Sequence, residues 1–257
     1  MTGLHMPRRN WIVTLAALIV VATTASLGLW QLSRAAEKQQ LIDQRAQRQA
    51  LAAVGWADVA AALSQGDADG LIDRPIQLDG YWRHEATVYL ENRPMNGRPG
   101  FVVVTPLVHP SGQPAVAVQR GWVPRRLDDR TAVPDLSAPP MTVRVMGRLA
   151  PPPSKLYELG DAGTGRIRQN IDLSQYSQEW ALPLWPVSLQ QSAGDPSDDL
   201  LVRDWPIVGV DVHKHYGYAV QWFGLSLLTL MLYVWFQFIA PRRQRQRRVV
   251  RTDSTEG

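Results

Sequence analysis

The sequence predicts an α+β membrane protein: two transmembrane helices flanking a mainly antiparallel β domain that lies outside the cytoplasm. Three observations lead there. Two long, uncharged apolar runs stand near the two ends of the 257-residue chain. Arginines flank the outer end of each run. Between them, short apolar stretches with a period of two alternate with turn signals.

Composition narrows the classes. Apolar residues make up 45% and charged residues 19% of the chain, which suits a folded or membrane-attached protein and excludes wholesale disorder. Cysteine is absent, which excludes disulfides, thiolate metal sites and a cysteine nucleophile and suits an oxidising compartment. Ten tryptophans are many for this length; the indole ring favours places that are dry at one end and wet at the other, such as bilayer interfaces.

The first apolar run, WIVTLAALIVVATTASLGLW, extends from Trp11 to Trp30 behind Arg8 and Arg9. As a helix it rises about 30 Å, one hydrocarbon core, with a tryptophan at each interface. A cleaved signal peptide has an apolar region of about 7–15 residues and a small-x-small site. Here the run is longer and passes into Trp30-Gln31-Leu32, so it reads as a retained anchor. The second run, Tyr216 to Ala240, carries no charge and rises roughly 37 Å, enough to span with some tilt. Arg242, Arg243, Arg245, Arg247, Arg248 and Arg251 follow it at once.

The positive-inside bias then sets the order: residues 1–10 cytoplasmic, 11–30 the first span, 31–215 an extracytoplasmic domain, 216–240 the second span, and 241–257 a basic cytoplasmic tail. In a bacterium this is a multi-pass protein of the cell inner membrane with a periplasmic domain. The net charge of +4 belongs to the tail, since residues 31–215 hold 19 Lys/Arg against 21 Asp/Glu. A basic run beside an apolar helix fixes topology and touches anionic lipid; a nucleic-acid partner is not expected.

Within the domain, residues 31–53 continue the first helix out of the bilayer, and WADVAAALS (56–64) reads as a short helix. ATVYLENR (86–93) sets Ala86, Val88 and Leu90 against Thr87, Tyr89 and Glu91. Asn96-Gly97 is a turn signal, followed by GFVVVTPLV (100–108), the turn Pro110-Ser111-Gly112, and PAVAVQRGWV (114–123), together an antiparallel meander. MTVRVMGRL (141–149) adds a strand, and DLSQYSQEW (172–180) a short helix capped by aspartate.

No catalytic signature appears: there is no GxSxG elbow, HExxH or Walker loop, and GDAGTG (160–165) lacks the Lys-Ser/Thr a phosphate loop needs. A hydrolase assembled from scattered Ser, His and Asp residues stands as the enzymatic alternative. His5, His84 and His109 show no metal-ligand spacing. The second span is more informative. His213 and His215 stand at its mouth, and His215, Tyr218, Ala219 and Trp222 share one helical face. Imidazole is a haem iron ligand; Ala219 and Gly217 would leave room for a flat macrocycle, and the rings of Tyr218 and Trp222 could pack against it. The same residues equally suit an interfacial aromatic belt. Arg93, Arg98 and Arg120, in or beside strand turns, suit carboxylates such as haem propionates, or are ordinary surface arginines.

Five segments, in order, resemble the Surfeit-locus family of cytochrome c oxidase assembly proteins: LGLWQLSRAAEK (27–38), RPIQLDGYW (74–82), ENRPMNGRPGFVVVTPL (91–107), VQRGWVP (118–124) and HYGYAVQWFGL (215–225). The resemblance implies a non-enzymatic helper that promotes delivery of haem a to, or its retention in, the immature catalytic subunit of the oxidase. That subunit is the expected partner, with haem a synthase a second one. The family's proposed haem ligand falls on His215, the only metal ligand implied; His213 lies off the motif. Lys214 departs from the asparagine the family often carries, and is a cation that could pair with a propionate. The alternative is a scaffold that stabilises an oxidase assembly intermediate without binding haem.

Overall fold

The computed structural model describes residues 8–129, 131–136, 141–157, 165–192, 201–205 and 212–241. His5, the arginine cluster from Arg242 onward and most of GDAGTG lie outside them. The chain divides into two compact units. One joins the N-terminal part, up to Asp43, with the C-terminal part from Val208; the other is Gln44–Ile207.

The first unit is a helix pair. Helix α1 runs from Arg8 to Gln49, and α5 from Val212 to Val234, ending in a π-helical turn, Trp235–Ile239. Both are long and apolar enough to cross a membrane. Large apolar side chains such as Trp11, Leu18, Leu29, Val220, Met231 and Phe236 face outward. Such exposure is unfavourable in water and ordinary against lipid.

The less exposed positions of each helix form one stripe. On α1 it reads Thr14, Ala17, Val21, Thr24, Gly28, Gln31, Ala35; on α5, Val212, His215, Ala219, Trp222, Ser226, Thr229, Tyr233. Steps of three and four give a period of 3.5, the signature of two helices packed along a common seam. Contacts run antiparallel along it. Thr14 Oγ1 lies 2.9 Å from Tyr233 Oη, Ser226 Oγ donates to the Val21 carbonyl at 3.4 Å, and a Cβ added at Gly28 would sit 2.8 Å from the Phe223 ring. Small residues let the backbones approach, which is how helices associate where lipid removes the hydrophobic drive.

The second unit is built on a mixed, mainly antiparallel seven-stranded sheet: β1 Pro75–Trp82, β2 Val88–Leu90, β3 Gly100–Val108, β4 Ala115–Pro124, β5 Val143–Ala150, β6 Ile167–Arg168 and β7 Leu184–Gln191. The order is β1-β5-β7-β4-β3-β2-β6, and β1 also pairs with β3 through Tyr81↔Val108 and Trp82↔Leu107. Five strands therefore close on themselves, with β2 and β6 continuing from the rest of the β3 edge. Closure removes the open edges that would otherwise template aggregation.

Inside the ring, Ile76, Leu78 and Trp82 of β1 meet Val116, Val118, Val145, Leu149, Val187 and Leu189. Helix α2, Trp56–Ser64, covers this core; Trp56 packs 4.9 Å from Trp185 and donates from Nε1 to the Asp79 carbonyl at 2.9 Å. Beside it, a short turn of helix, α3 (Ala68–Leu71), adds Leu71. The last turn of α1 is held to the same corner: Arg45 pairs with Asp73 at 2.7 Å, and Arg48 donates to the carbonyls of Asp69 and Ile72 at 3.3 Å each. Helix α4, Leu173–Glu179, closes the other side, capped by Asp172, which accepts from the amides of Ser174 and Gln175. The hydroxyl of buried Tyr176 donates to the Ala86 carbonyl.

Three expectations change. The strand expected over 86–93 shrinks to β2, after a 3-10 turn at His84–Ala86, and its chain leaves the sheet where Asn92 turns left-handed with φ 57°. The Thr87–Tyr89 side of its alternation is buried as well as the Val88–Leu90 side: Thr87 bonds Thr105 at 3.0 Å, and Tyr89 packs with Phe101, Val123 and Leu136 in a second cluster. β7 was not expected, since Pro186 interrupts it. The proline sits where Ala115↔Leu184 jumps to Ala117↔Ser188, an irregularity that leaves its missing N–H without consequence for the ladder. The Asn96-Gly97 signal holds: both residues have positive φ, and Met95 and Arg98 exchange two 3.0 Å hydrogen bonds across them.

Candidate functional site

The seam brings His215 against α1. Its Nδ1 lies 2.7 Å from Gln31 Oε1, a polar contact between two largely apolar helices, and the ring is half-buried. Trp222 lies on the same stripe, half-buried, while Tyr218 is turned to its flank and 52% exposed. Ala219 is 2% exposed, so the room expected beside it for a macrocycle does not exist: the small residue is spent on close helix packing. Open space adjoins Gly217 instead, where a Cβ would meet nothing within 4 Å, but at 3.6 residues per turn that is the side of α5 away from His215. His213 is exposed.

Sequence reasoning treated Gln31 only as part of a motif. Its pairing with His215 joins positions 184 residues apart, and periodicity does not reveal a register between two helices. One turn beyond it, Arg34 is half-exposed over the Trp30 ring, 5.8 Å from its centroid, and pairs with Glu37 at 2.7 Å.

The arginines of the domain have other employment. Arg93 donates to Ser154 Oγ at 3.0 Å and to the carbonyls of Ser154 and Gln169 at 2.7 and 3.1 Å, and burial lowers its pKa. Arg120 is 2% exposed and stacks 4.5 Å above Trp82. Neither is the surface arginine that would meet a ligand carboxylate directly. Arg98 is exposed at its hairpin tip. The VQRGWVP segment is a packing joint: a Cβ at Gly121 would lie 2.7 Å from Leu201 Cβ, and Trp122 Nε1 donates to the Arg93 carbonyl at 2.6 Å. His109 closes its own turn, its Nδ1 being 2.7 Å from Ser111 Oγ.

One cluster in the domain was not foreseen. His84, Glu85, Thr87, Asp135, Leu136 and Arg166 line a cavity of about 410 Å³. The buried His84 Nδ1 has no hydrogen-bond partner among the described residues. Burial, then the charge of Arg120, push the His84 pKa below 6.5, while Glu85 and Asp135 pull it up. No group of three or more His, Cys, Asp or Glu able to hold a metal occurs among the described residues. A single-histidine ligand is a different case and rests on His215.

These features define a membrane-anchored, closed-sheet domain with an imidazole on the seam of its helix pair. The chain matches the model of the SURF1 family over residues 18–227, from within the first long helix to the middle of the second, and it belongs to that family. It is also similar to a "SURF1-like protein" of Rickettsia felis, 24% identical over 225 residues that cover 86% of this chain and 94% of the relative. The family is in general one of cytochrome oxidase assembly factors, membrane proteins rather than enzymes.

The depressed His84 pKa has a testable sign. A histidine whose folded pKa lies below its unfolded value of 6.5 stabilises the fold fully above that pH and progressively less as pH falls. His84→Gln should therefore lose less stability than wild type between about pH 7.5 and about pH 5, read as the shift in urea midpoint at each pH. Equal losses in both proteins would contradict the assignment.

Proposed function

We propose that the protein is a cytochrome c oxidase biogenesis factor that promotes delivery of haem a to, or its retention in, the immature catalytic subunit, and that His215 ligates the iron of this cargo. The observation that carries the reading is His215 itself: a half-buried imidazole engaged through Nδ1 alone among the described residues, with Tyr218 about one turn and Trp222 about two turns further along the same helix. One histidine makes an exchangeable site, which a carrier needs. The donor set fits a haem iron, which takes histidine as an axial ligand and leaves its own redox chemistry to the oxidase. Trp222 and Tyr218 offer the flat apolar surface a porphyrin ring packs on. Arg34, on the same unit, supplies a guanidinium for carboxylates more readily than Arg93 or Arg120, whose groups are buried or bonded within the domain.

The closed-sheet domain is the surface for protein partners: the immature catalytic subunit, and haem a synthase as donor. Its expected location is outside the cytoplasm, with both termini inside and the basic tail on anionic lipid of the inner membrane. One observation favours a second reading, a scaffold that holds an oxidase intermediate without haem: the Gln31 contact gives His215 a structural task in pairing the helices.

Cells lacking their own copy should, with His215→Ala, hold the protein at normal level and still co-purify the catalytic subunit with it. The haem a content per oxidase should fall several-fold. Undiminished haem a would sink the ligand and leave the scaffold. Because the chain has no cysteine, one introduced at Leu127, which is 93% exposed, reports topology. It should react with a membrane-impermeant maleimide in intact spheroplasts; labelling only after lysis would reverse the orientation.

A further inference from the structure

We infer that Gln31 is a positioning residue for His215: by accepting a hydrogen bond from Nδ1–H it fixes the tautomer in which Nε2 carries the lone pair, and so readies that nitrogen for a metal. The inference rests on the haem reading above and specifies how that site is prepared.

The chemistry is short. The atom 2.7 Å from His215 Nδ1 is the side-chain carbonyl oxygen of Gln31, which can accept but not donate. Nδ1 therefore holds the proton. A neutral imidazole has one N–H, so Nε2 is left with its sp² lone pair, and it meets no hydrogen-bond partner among the described residues. Histidines that bind metals generally donate their other ring N–H to an oxygen in this way, which sets both ring orientation and basicity.

Two features make the arrangement specific to a carrier. The partner is a neutral amide. Among the described residues of this unit the acidic side chains are Glu37 and Asp43, and both are engaged on α1 itself, by Arg34 at 2.7 Å and Gln39 at 3.0 Å. A carboxylate partner would push electron density into the ring and tighten the metal bond; an amide orients the ring without adding charge, so the iron can be released. The partner also sits on the other helix. Ring orientation is then set by the α1–α5 register, which Thr14–Tyr233, Val21–Ser226 and Gly28–Phe223 fix independently.

The test uses the full chain in detergent, haem-free, with ¹⁵N-labelled histidine. Long-range ¹H–¹⁵N correlation reads the tautomer of each of the five histidines, and His215 is assigned by its absence in His215→Ala. Wild-type His215 should be the Nδ1–H tautomer. Gln31→Leu should return it to the Nε2–H form that histidine favours in water and weaken haemin binding, followed by optical titration, roughly ten- to hundredfold. Gln31→Glu should restore Nδ1–H and bind haemin at least as tightly as wild type. A wild-type Nε2–H tautomer overturns the inference, and that readout needs no variant of Gln31 to fold. Haemin affinity lost in His215→Ala but unchanged in Gln31→Leu overturns it too, while leaving the haem reading intact. A wild-type protein with the Nδ1–H tautomer that binds no haemin overturns the haem reading, and with it the purpose assigned to Gln31.

Discussion

The contact between Gln31 and His215 is a hydrogen bond between two largely apolar helices, set at the mouth of the pair, just beyond Trp30 and just before Tyr216. Turning α5 by one residue would rotate the imidazole about 100° out of the seam and take from the Gln31 amide its partner on the other helix. The apolar seam alone specifies register weakly, since one small residue packs much like another. Polar contacts at Gln31, Val21 and Thr14 make it unique. The orientation of His215, the burial of Ala219 and the placement of Trp222 all follow from that register.

The domain answers a different problem. Seven strands, two of them very short, would leave raw edges on a flat sheet; closure of β1 onto β3 removes most of them. Closure also explains why β3 and β4 are buried along nearly their whole length, with clusters on both faces. A domain so packed spends its arginines internally. Arg120 on Trp82, Arg168 bidentate on Glu179, and Arg93 on main-chain carbonyls are structural, and protein partners must be met by what remains outside.

Much of this was legible in the residues. The two apolar runs, the polar continuation of α1, the helix at 56–64, the meander of β3 and β4 and the Asp172 cap each follow from a local pattern. What was hidden is non-local. The burial of Tyr89 depends on a cluster formed with Leu136 and Leu201, far along the chain. β7 is masked by Pro186, which is tolerated only because of an irregularity in its pairing with β4. On α5, the common stripe of His215 and Trp222 could be read from spacing. The fate of Ala219 and the role of Gln31 could not, because both depend on how α5 is turned against α1. Arg93 and Arg120 looked available because an arginine beside a turn is usually solvated; here the second layer of packing covers them.

The central claim is that His215 handles haem directly. The measurement that bears on it most directly is a pyridine-haemochrome spectrum of the detergent-purified protein and of His215→Ala, both from cells that also make haem a. The expected result is a stoichiometric haem a signal in the wild type that is lost in the variant. A colourless wild-type protein that still carries an oxidase subunit with it would contradict the claim.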